Sequence, residues 1–304
     1  MIILKKIKKF FKKPKLAILV LLYKTGYILP DKLYLRILFR LRMGKRLDLK
    51  SPETYSEKLQ WLKLYNHIPE YTIMADKASA KEYVASKIGR EYVIPSLGMW
   101  DKFDDIDFDK LPDQFVLKTT HGSTIGIIIC KDKSNFNISS ARKEINKSLK
   151  HNYFYDGREW PYKNIVPRII AEQYMVDESG TELKDYKFYC FDGDPKVLLV
   201  ATDRGIDIRF DFFDIDFNHL SLLQAGDKNA TKQILKPKNY EKMVDIARKL
   251  SEGIPHVRVD LYNVNGKIYF GEMTFFSAGG IVPFKPEKWD YILGSWIKLP
   301  EKTI

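Results

Sequence analysis

Apolar and polar positions alternate along Val257-Arg258-Val259-Asp260-Leu261-Tyr262, which predicts a strand with one face buried. Asn265-Gly266 follows, a pair suited to the positive-φ positions of a tight hairpin turn. Lys267 to Glu272 is then the returning strand. Apolar runs predict further strands at Phe115–Lys118, Ile127–Cys130, Ile169–Met175 and Tyr186–Phe191, with a strand-rich stretch to Asp214. Helical spacing takes over elsewhere. Ser51 is expected to cap a helix with Pro52 in its first turn, reaching about Leu64. Other helices are expected over Asp76–Lys87, Ser139–Leu149 and Tyr240–Ser251. Helices mixed with mostly antiparallel strand pairs make an α+β protein.

Three of these elements carry candidate chemistry. The closing hairpin brings Asp260 and Glu272 towards one end of two neighbouring strands. Paired carboxylates repel unless a cation lies between them, and hard oxygen ligands suit Mg²⁺; taken alone, the hairpin reads equally as a solvated turn. Phe115-Val116-Leu117-Lys118 leads into Thr119-Thr120-His121-Gly122-Ser123-Thr124-Ile125-Gly126 and a second apolar run. A strand, a small polar loop and a strand can cover phosphates with backbone N–H groups, with Lys118 as a point charge; taken alone, the segment reads equally as an ordinary hairpin. It is not a Walker loop, because no Gly-Lys-Ser/Thr opens a helix. The third element is Ile169 to Met175, a strand whose exit offers backbone donors and acceptors to an adenine edge. Asp185, with Lys187 on the same face, can meet ribose hydroxyls.

Taken in order, these segments resemble the TupA-like branch of the ATP-grasp superfamily, from about Tyr55 to Pro300. The resemblance is carried by Glu57-Lys58-Leu59-Gln60-Trp61, Asp76-Lys77, Leu111 to Lys118, His121-Gly122-Ser123, Asp185-Tyr186-Lys187, Arg258-Val259-Asp260-Leu261-Tyr262 and Gly271-Glu272-Met273-Thr274. It implies an ATP-grasp fold with the nucleotide between two α+β subdomains. It also implies that Lys77 and Lys118 lie near the α- and β-phosphates, under a flap at His121, Gly122 and Ser123. Glu172 and the backbone of Gln173, Tyr174 and Met175 would hold adenine, and Asp185 the ribose. Asp260 and Glu272 would hold Mg²⁺, two ions in all. Thr274 stands where the wider superfamily often has a metal-ligating Asn, and its hydroxyl is a poorer ligand. Arg258 would meet the transferred phosphoryl group, with Lys187 and Arg204 as candidates for the γ-phosphate.

Composition and charge narrow the class. The chain has 304 residues with 45% apolar and 30% charged residues, as soluble globular proteins do. No run of 18 apolar residues is present to span a bilayer. Cys130 and Cys190 read as buried apolar residues, and neither zinc spacing nor a Gly-x-Ser-x-Gly elbow occurs. The formal charge of +12 is concentrated at one end, since residues 1–50 carry +13 and the rest −1. This is not a nucleic-acid footprint spread over a fold. Ile3, Ile7, Phe10 and Phe11 recur at helical spacing among Lys5, Lys6, Lys8, Lys9, Lys12 and Lys13, and Pro14 ends the pattern. A basic amphipathic helix followed by Leu16 to Leu22 reads as an element for an anionic membrane surface, residues 1–24 in all. The plainer alternative is a helix packed on the core with solvated lysines.

The organisation expected is a basic helical extension at 1–50, an N-terminal subdomain at 51–112, a flap and hinge subdomain at 113–178, and a metal-binding subdomain at 179–304. The function implied by the resemblance is an ATP-dependent carboxylate–amine ligase working through an acyl phosphate. It would join an amino acid or peptide to a uronic acid of a bacterial surface polysaccharide. The acceptor would be a polysaccharide or lipid-linked sugar, with the enzyme on the inner face of the plasma membrane. A glycosyltransferase is the rival, on the strength of Asp214-Ile215-Asp216. A non-catalytic membrane adaptor is the second.

Overall fold

The computed structural model describes residues 14–122, 126–180, 182–204 and 207–303. The amphipathic segment up to Lys13, and Ser123 of the flap, lie outside them. Helices α1 (Pro14–Thr25) and α2 (Asp31–Met43) enclose a small core of Leu19, Leu22, Tyr34, Leu35, Leu38, Phe39 and Leu47. Gly44 ends α2 in the left-handed region at φ 76°, where a side chain would be strained.

The next helix, α3 (Tyr55–Tyr65), begins three residues later than the Ser51-Pro52 signal predicts. Thr54 is its cap. The Thr54 hydroxyl accepts from the Glu57 N–H at 3.3 Å, and the Glu57 carboxylate accepts from the Thr54 N–H at 3.2 Å. Two orphan donors satisfied reciprocally outweigh a favourable proline position.

A short helix, α4 (Glu70–Ala75), precedes α5 (Ser79–Ile88). Lys77 is therefore not on a helix, as the periodicity of 76–87 suggests. The Asp76 backbone is extended, and its carboxylate accepts from the N–H groups of Ala78 and Ser79, both at 3.3 Å. Such side-chain bonds favour a turn over continued helix. The Lys77 N–H donates to the Thr120 carbonyl at 3.0 Å, which ties this turn to the base of the flap.

Two antiparallel sheets follow. Strands β1 (Ser96–Trp100), β2 (Phe115–Thr119), β3 (Ile127–Cys130) and, after helices α6 (Ile138–Leu149) and α7 (Phe154–Gly157), β4 (Ile169–Gln173) pair in the order β1-β4-β2-β3. Phe115, Leu117, Ile169 and Ala171 pack with Ala141 and Ile145 of α6. Strand β1, from the expected 51–112 segment, thus pairs within the flap sheet.

The second sheet has the order β10-β9-β5-β6-β7. Its strands are β5 (Asp185–Phe191), β6 (Asp194–Thr202), β7 (Arg209–Asp214), and the hairpin β9 (Val257–Val264) and β10 (Lys267–Thr274). A two-residue strand β8 (Leu223–Gln224) pairs with β11 (Phe284–Lys285), α8 (Tyr240–Ser251) precedes β9, and α9 (Lys288–Trp296) ends the chain's regular structure. Val257, Val259 and Leu261 are fully buried in one core with Met243, Ile246, Ala247 and Leu250 of α8. Each of these side chains other than Ala247 contributes roughly 1.5–3 kcal/mol by burial. The intervening Arg258, Asp260 and Tyr262 take the opposite face, which lines a cleft.

Candidate active site

A cleft of about 690 Å³ is lined by both sheets: Val116, Lys118 and Glu172 on one side, Asp185, Lys187, Arg258 and Asp260 on the other. Gln173, Tyr174 and Met175 line it where β4 gives way to the link between the sheets. Its formal charges balance. Lys77, Lys118, Lys131, Lys187, Arg204 and Arg258 face Glu172, Glu182, Asp185, Asp227, Asp260 and Glu272.

The hairpin turn forms as Asn265-Gly266 predicts, at φ 56° and 93°. Strict alternation along β10 would still fail to build the acid pair. Ile268 and Phe270 are buried, so Glu272 two residues on would enter the core too. The register instead shifts between Phe270 and Glu272, leaving Gly271 as an extra residue. That bulge puts Met273 inward and Glu272 on the cleft face, directly opposite Asp260.

Arg258 organises the pair. Its Nε and Nη2 donate to the two Asp260 oxygens, both at 2.7 Å, and Nη2 also reaches Glu272 Oε1 and the Thr274 hydroxyl at 3.1 Å. The Thr274 hydroxyl donates to Glu272 Oε1 at 2.9 Å. Lys187, opposite Asp260 in the β5–β9 register, donates to Asp260 Oδ2 at 2.6 Å and lies 3.2 Å from Asp185. Arg204 meets Asp185 at 2.6 Å. Burial raises the Asp260 pKa despite these cations. Burial works against ionised Glu272 too, but Lys77, Arg258 and Lys187 outweigh it and hold that carboxyl at about 2. Glu272 is 39% exposed, open to the cleft, whereas Asp260 is 2% exposed.

Across the cleft, Lys118 reaches Glu172 Oε2 at 2.5 Å, and Lys81 takes Oε1 at 2.6 Å. At an effective dielectric of about 20, unit charges ~4 Å apart interact by about 4 kcal/mol. Two lysines on one carboxylate therefore overcome the burial that opposes its charge, and Glu172 sits at about 2. Lys77 donates to the Gly122 carbonyl, and burial lowers its pKa while Glu272 opposes that shift.

His121 departs from the expected flap role. Its ring is buried, with Nε2 bonded to the carbonyls of Ser148 at 3.1 Å and His151 at 3.0 Å, so it anchors the flap base onto the end of α6. Asp214 accepts from its own turn, from Asp216 N–H at 3.0 Å and Asn218 N–H at 2.8 Å, and does not line the cleft. Three site groups went unnoticed in the sequence. Lys81 lies four residues after Lys77, and that spacing was its only signal. Ser277 receives Arg258 Nη1 at 2.9 Å and meets the Tyr189 hydroxyl at 2.9 Å, contacts that no local pattern encodes.

A hairpin with two facing carboxylates thus stands across the cleft from the lysines of the other sheet. Residues 57–298 match the sequence model of the TupA-like ATP-grasp family, and the chain belongs to that family. With it the chain joins the ATP-dependent carboxylate–amine ligases, which use ATP and Mg²⁺. No curated protein matches. Among solved structures, D-alanine–D-alanine ligase from Helicobacter pylori is similar at 13% identity and TM-score 0.45, covering 81% of this chain and 69% of that one. The D-cycloserine synthetase DcsG is similar at 16% identity and TM-score 0.41, covering 88% of this chain and 80% of that one. The ATP-grasp ligase PsnB, complexed with minimal precursor, Mg and ADP, is similar at 12% identity and TM-score 0.39, covering 73% of this chain and 57% of that one. The chain therefore spans a little over half of PsnB. Among the described residues, no helix is long and apolar enough to cross a membrane.

Proposed function

We propose that this ligase joins an amino acid or peptide to a uronic acid carboxyl of a bacterial surface polysaccharide, through an acyl phosphate. The observation that carries the phosphoryl-transfer part is the Asp260–Glu272 pair set across the cleft from Lys118 and Lys77. Lys77 and Lys118 would bind the α- and β-phosphates, with Glu172 and the backbone of Gln173 to Met175 at adenine and Asp185 at the ribose. The donor set fits Mg²⁺: two carboxylates and a hydroxyl, all hard oxygens, with Glu272 open to the cleft. Asp260, Glu272 and Thr274 would hold the ions, two in this reading, which supply charge neutralisation at the phosphates.

Arg258, fixed by Asp260 and Ser277, would face the transferred group together with Lys187 and Arg204. A substrate carboxylate oxygen attacks the γ-phosphorus and the bond to the β-phosphate oxygen breaks, releasing ADP. An amine then attacks the acyl carbon, phosphate leaves, and the amine proton is lost as the amide forms. Water must be kept from the acyl phosphate, which is the task assigned to the flap over 120–126.

The polysaccharide acceptor, its lipid-linked form and a place on the inner membrane face are supported by the family resemblance and by the positive charge of residues 1–50. Phosphate release by the full chain tests the reading, with ATP, Mg²⁺ and a panel of uronic acid oligosaccharides and amino acids. Release that needs one acid and one amine together is expected. ATP turnover indifferent to every acid and amine would overturn it.

A further inference from the structure

In the cleft, Lys118, Lys187, Arg204 and Arg258 meet carboxylates directly, but several cations of the helical end do not. Lys32, Arg36 and Arg40 follow one another at i, i+4 and i+8 along α2, and all three are exposed. Arg46 and Lys50 extend the set along the segment after Gly44. Among the described residues, none of the five side chains has an ion pair or hydrogen-bond partner, whereas neighbouring Lys45 reaches Glu287 and Asp290.

These cations line two adjoining cavities. One, of about 450 Å³, includes Lys32, Arg36, Arg46 and Lys50; the other, of about 630 Å³, includes Arg36, Arg40 and Arg46. They share Arg36, Arg46 and Leu47. The second is walled by Ile37, Leu41 and Leu47, so charge and apolar surface lie side by side. Asp48 is the one acidic residue among the described lining residues, and its Oδ1 already accepts from the Lys50 and Ser51 N–H groups at 2.7 and 3.1 Å.

Helix α1, in the same small core, is apolar nearly all round. Leu16, Ile18 and Leu21 are 50–60% exposed there, and Ile28 just beyond is 72% exposed. An exposed helix of that kind matches an apolar medium rather than water. The chain's own residues 1–13 carry six lysines and no acid, so they would add like charge to these cavities. The complementary occupant is an anionic amphiphile.

We infer that the cavities around Arg36, Arg40 and Arg46 form a headgroup site for an anionic membrane phospholipid, its phosphate on the arginines and its chains along Ile37, Leu41 and Leu47. This rests on the membrane-surface part of the function proposed above, and replaces a diffuse attraction with a built site outside residues 1–24.

Co-sedimentation of the full chain with phosphatidylcholine vesicles, with and without phosphatidylglycerol, tests it. The wild type binds only the phosphatidylglycerol vesicles. The triple variant R36Q/R40Q/R46Q binds them at least about tenfold more weakly, with unchanged solution ATP turnover and thermal midpoint. Equal binding by wild type and variant overturns the headgroup site but leaves the membrane reading standing, with the lysines of residues 1–13 as its source. No vesicle binding by the wild type overturns both. Full suppression of vesicle binding by inorganic pyrophosphate at a concentration that leaves ionic strength unchanged also overturns it, because it would mark a soluble-anion site.

Discussion

Asp260 and Glu272 are direct cross-strand partners, although the alternation of β10 would place them on opposite faces of the sheet. The bulge at Gly271 makes the difference. A Cβ there would lie 3.0 Å from the Asp260 carbonyl oxygen and 3.1 Å from the Tyr262 ring. Gly271→Ala is expected to cost about 1 kcal/mol of stability and to raise the Mg²⁺ concentration needed for ATP turnover. A thermal melt and a Mg²⁺ titration read the two effects; an unchanged titration would show that the spacing of the acids is not critical.

The two acids call for different substitutions. Asp260 is buried between Arg258 and Lys187, so removing its charge strands both cations, a change worth roughly 3–5 kcal/mol. Glu272 is open to the cleft, and Glu272→Gln keeps its shape. We expect a folded protein whose ATP turnover is slowed about a hundredfold or more. Wild-type turnover by this variant would remove Glu272 from the chemistry.

Glu172 is the sole carboxylate bridging Lys81 and Lys118 among the described residues. Glu172→Gln leaves the buried Lys81 and the half-buried Lys118 ammonium groups uncompensated, and a loss of a few kcal/mol is expected. Saturating ATP should restore much of it, because the phosphates supply the missing negative charge. Differential scanning fluorimetry with and without ATP measures the recovery; a deficit that ATP leaves untouched would count against Lys118 as a phosphate ligand.

Acid should weaken the fold in two stages. His256 is buried between the Tyr55 hydroxyl and the Cys190 carbonyl, and burial lowers its pKa to about 3. The unfolded chain takes up that proton near pH 6.5 while the native state refuses it, so stability falls with pH from there down to about 3. Glu172, held at about 2, adds a second loss below its ordinary value of 4.5. Each contributes on the order of 1 kcal/mol per pH unit within its window. Urea melts across this range should show His256→Gln flattening the slope between pH 6.5 and 4.5, where His256 acts alone, and reducing it from there to about 3.

The hairpin and α8 were legible because their signals are local. Asn265-Gly266 sets the turn, and Met243, Val244, Ala247 and Leu250 keep one buried face over about two turns. The Thr54–Glu57 box was equally local, but Ser51-Pro52 offered a competing start three residues earlier. What stayed hidden is register. Nothing near Lys187 says that β5 lies beside β9, and so nothing predicts its contact with Asp260. The ring of His121 was likewise turned aside by two carbonyls at the end of α6, almost thirty residues away in sequence.

The cleft's cations and acids cancel in number, while Arg36, Arg40 and Arg46 at the helical end have no acidic partner among the described residues, so unpaired positive charge is set apart from the reaction chamber. In the membrane reading proposed above, an anionic surface would meet α2 first and leave the paired groups of the cleft to the nucleotide.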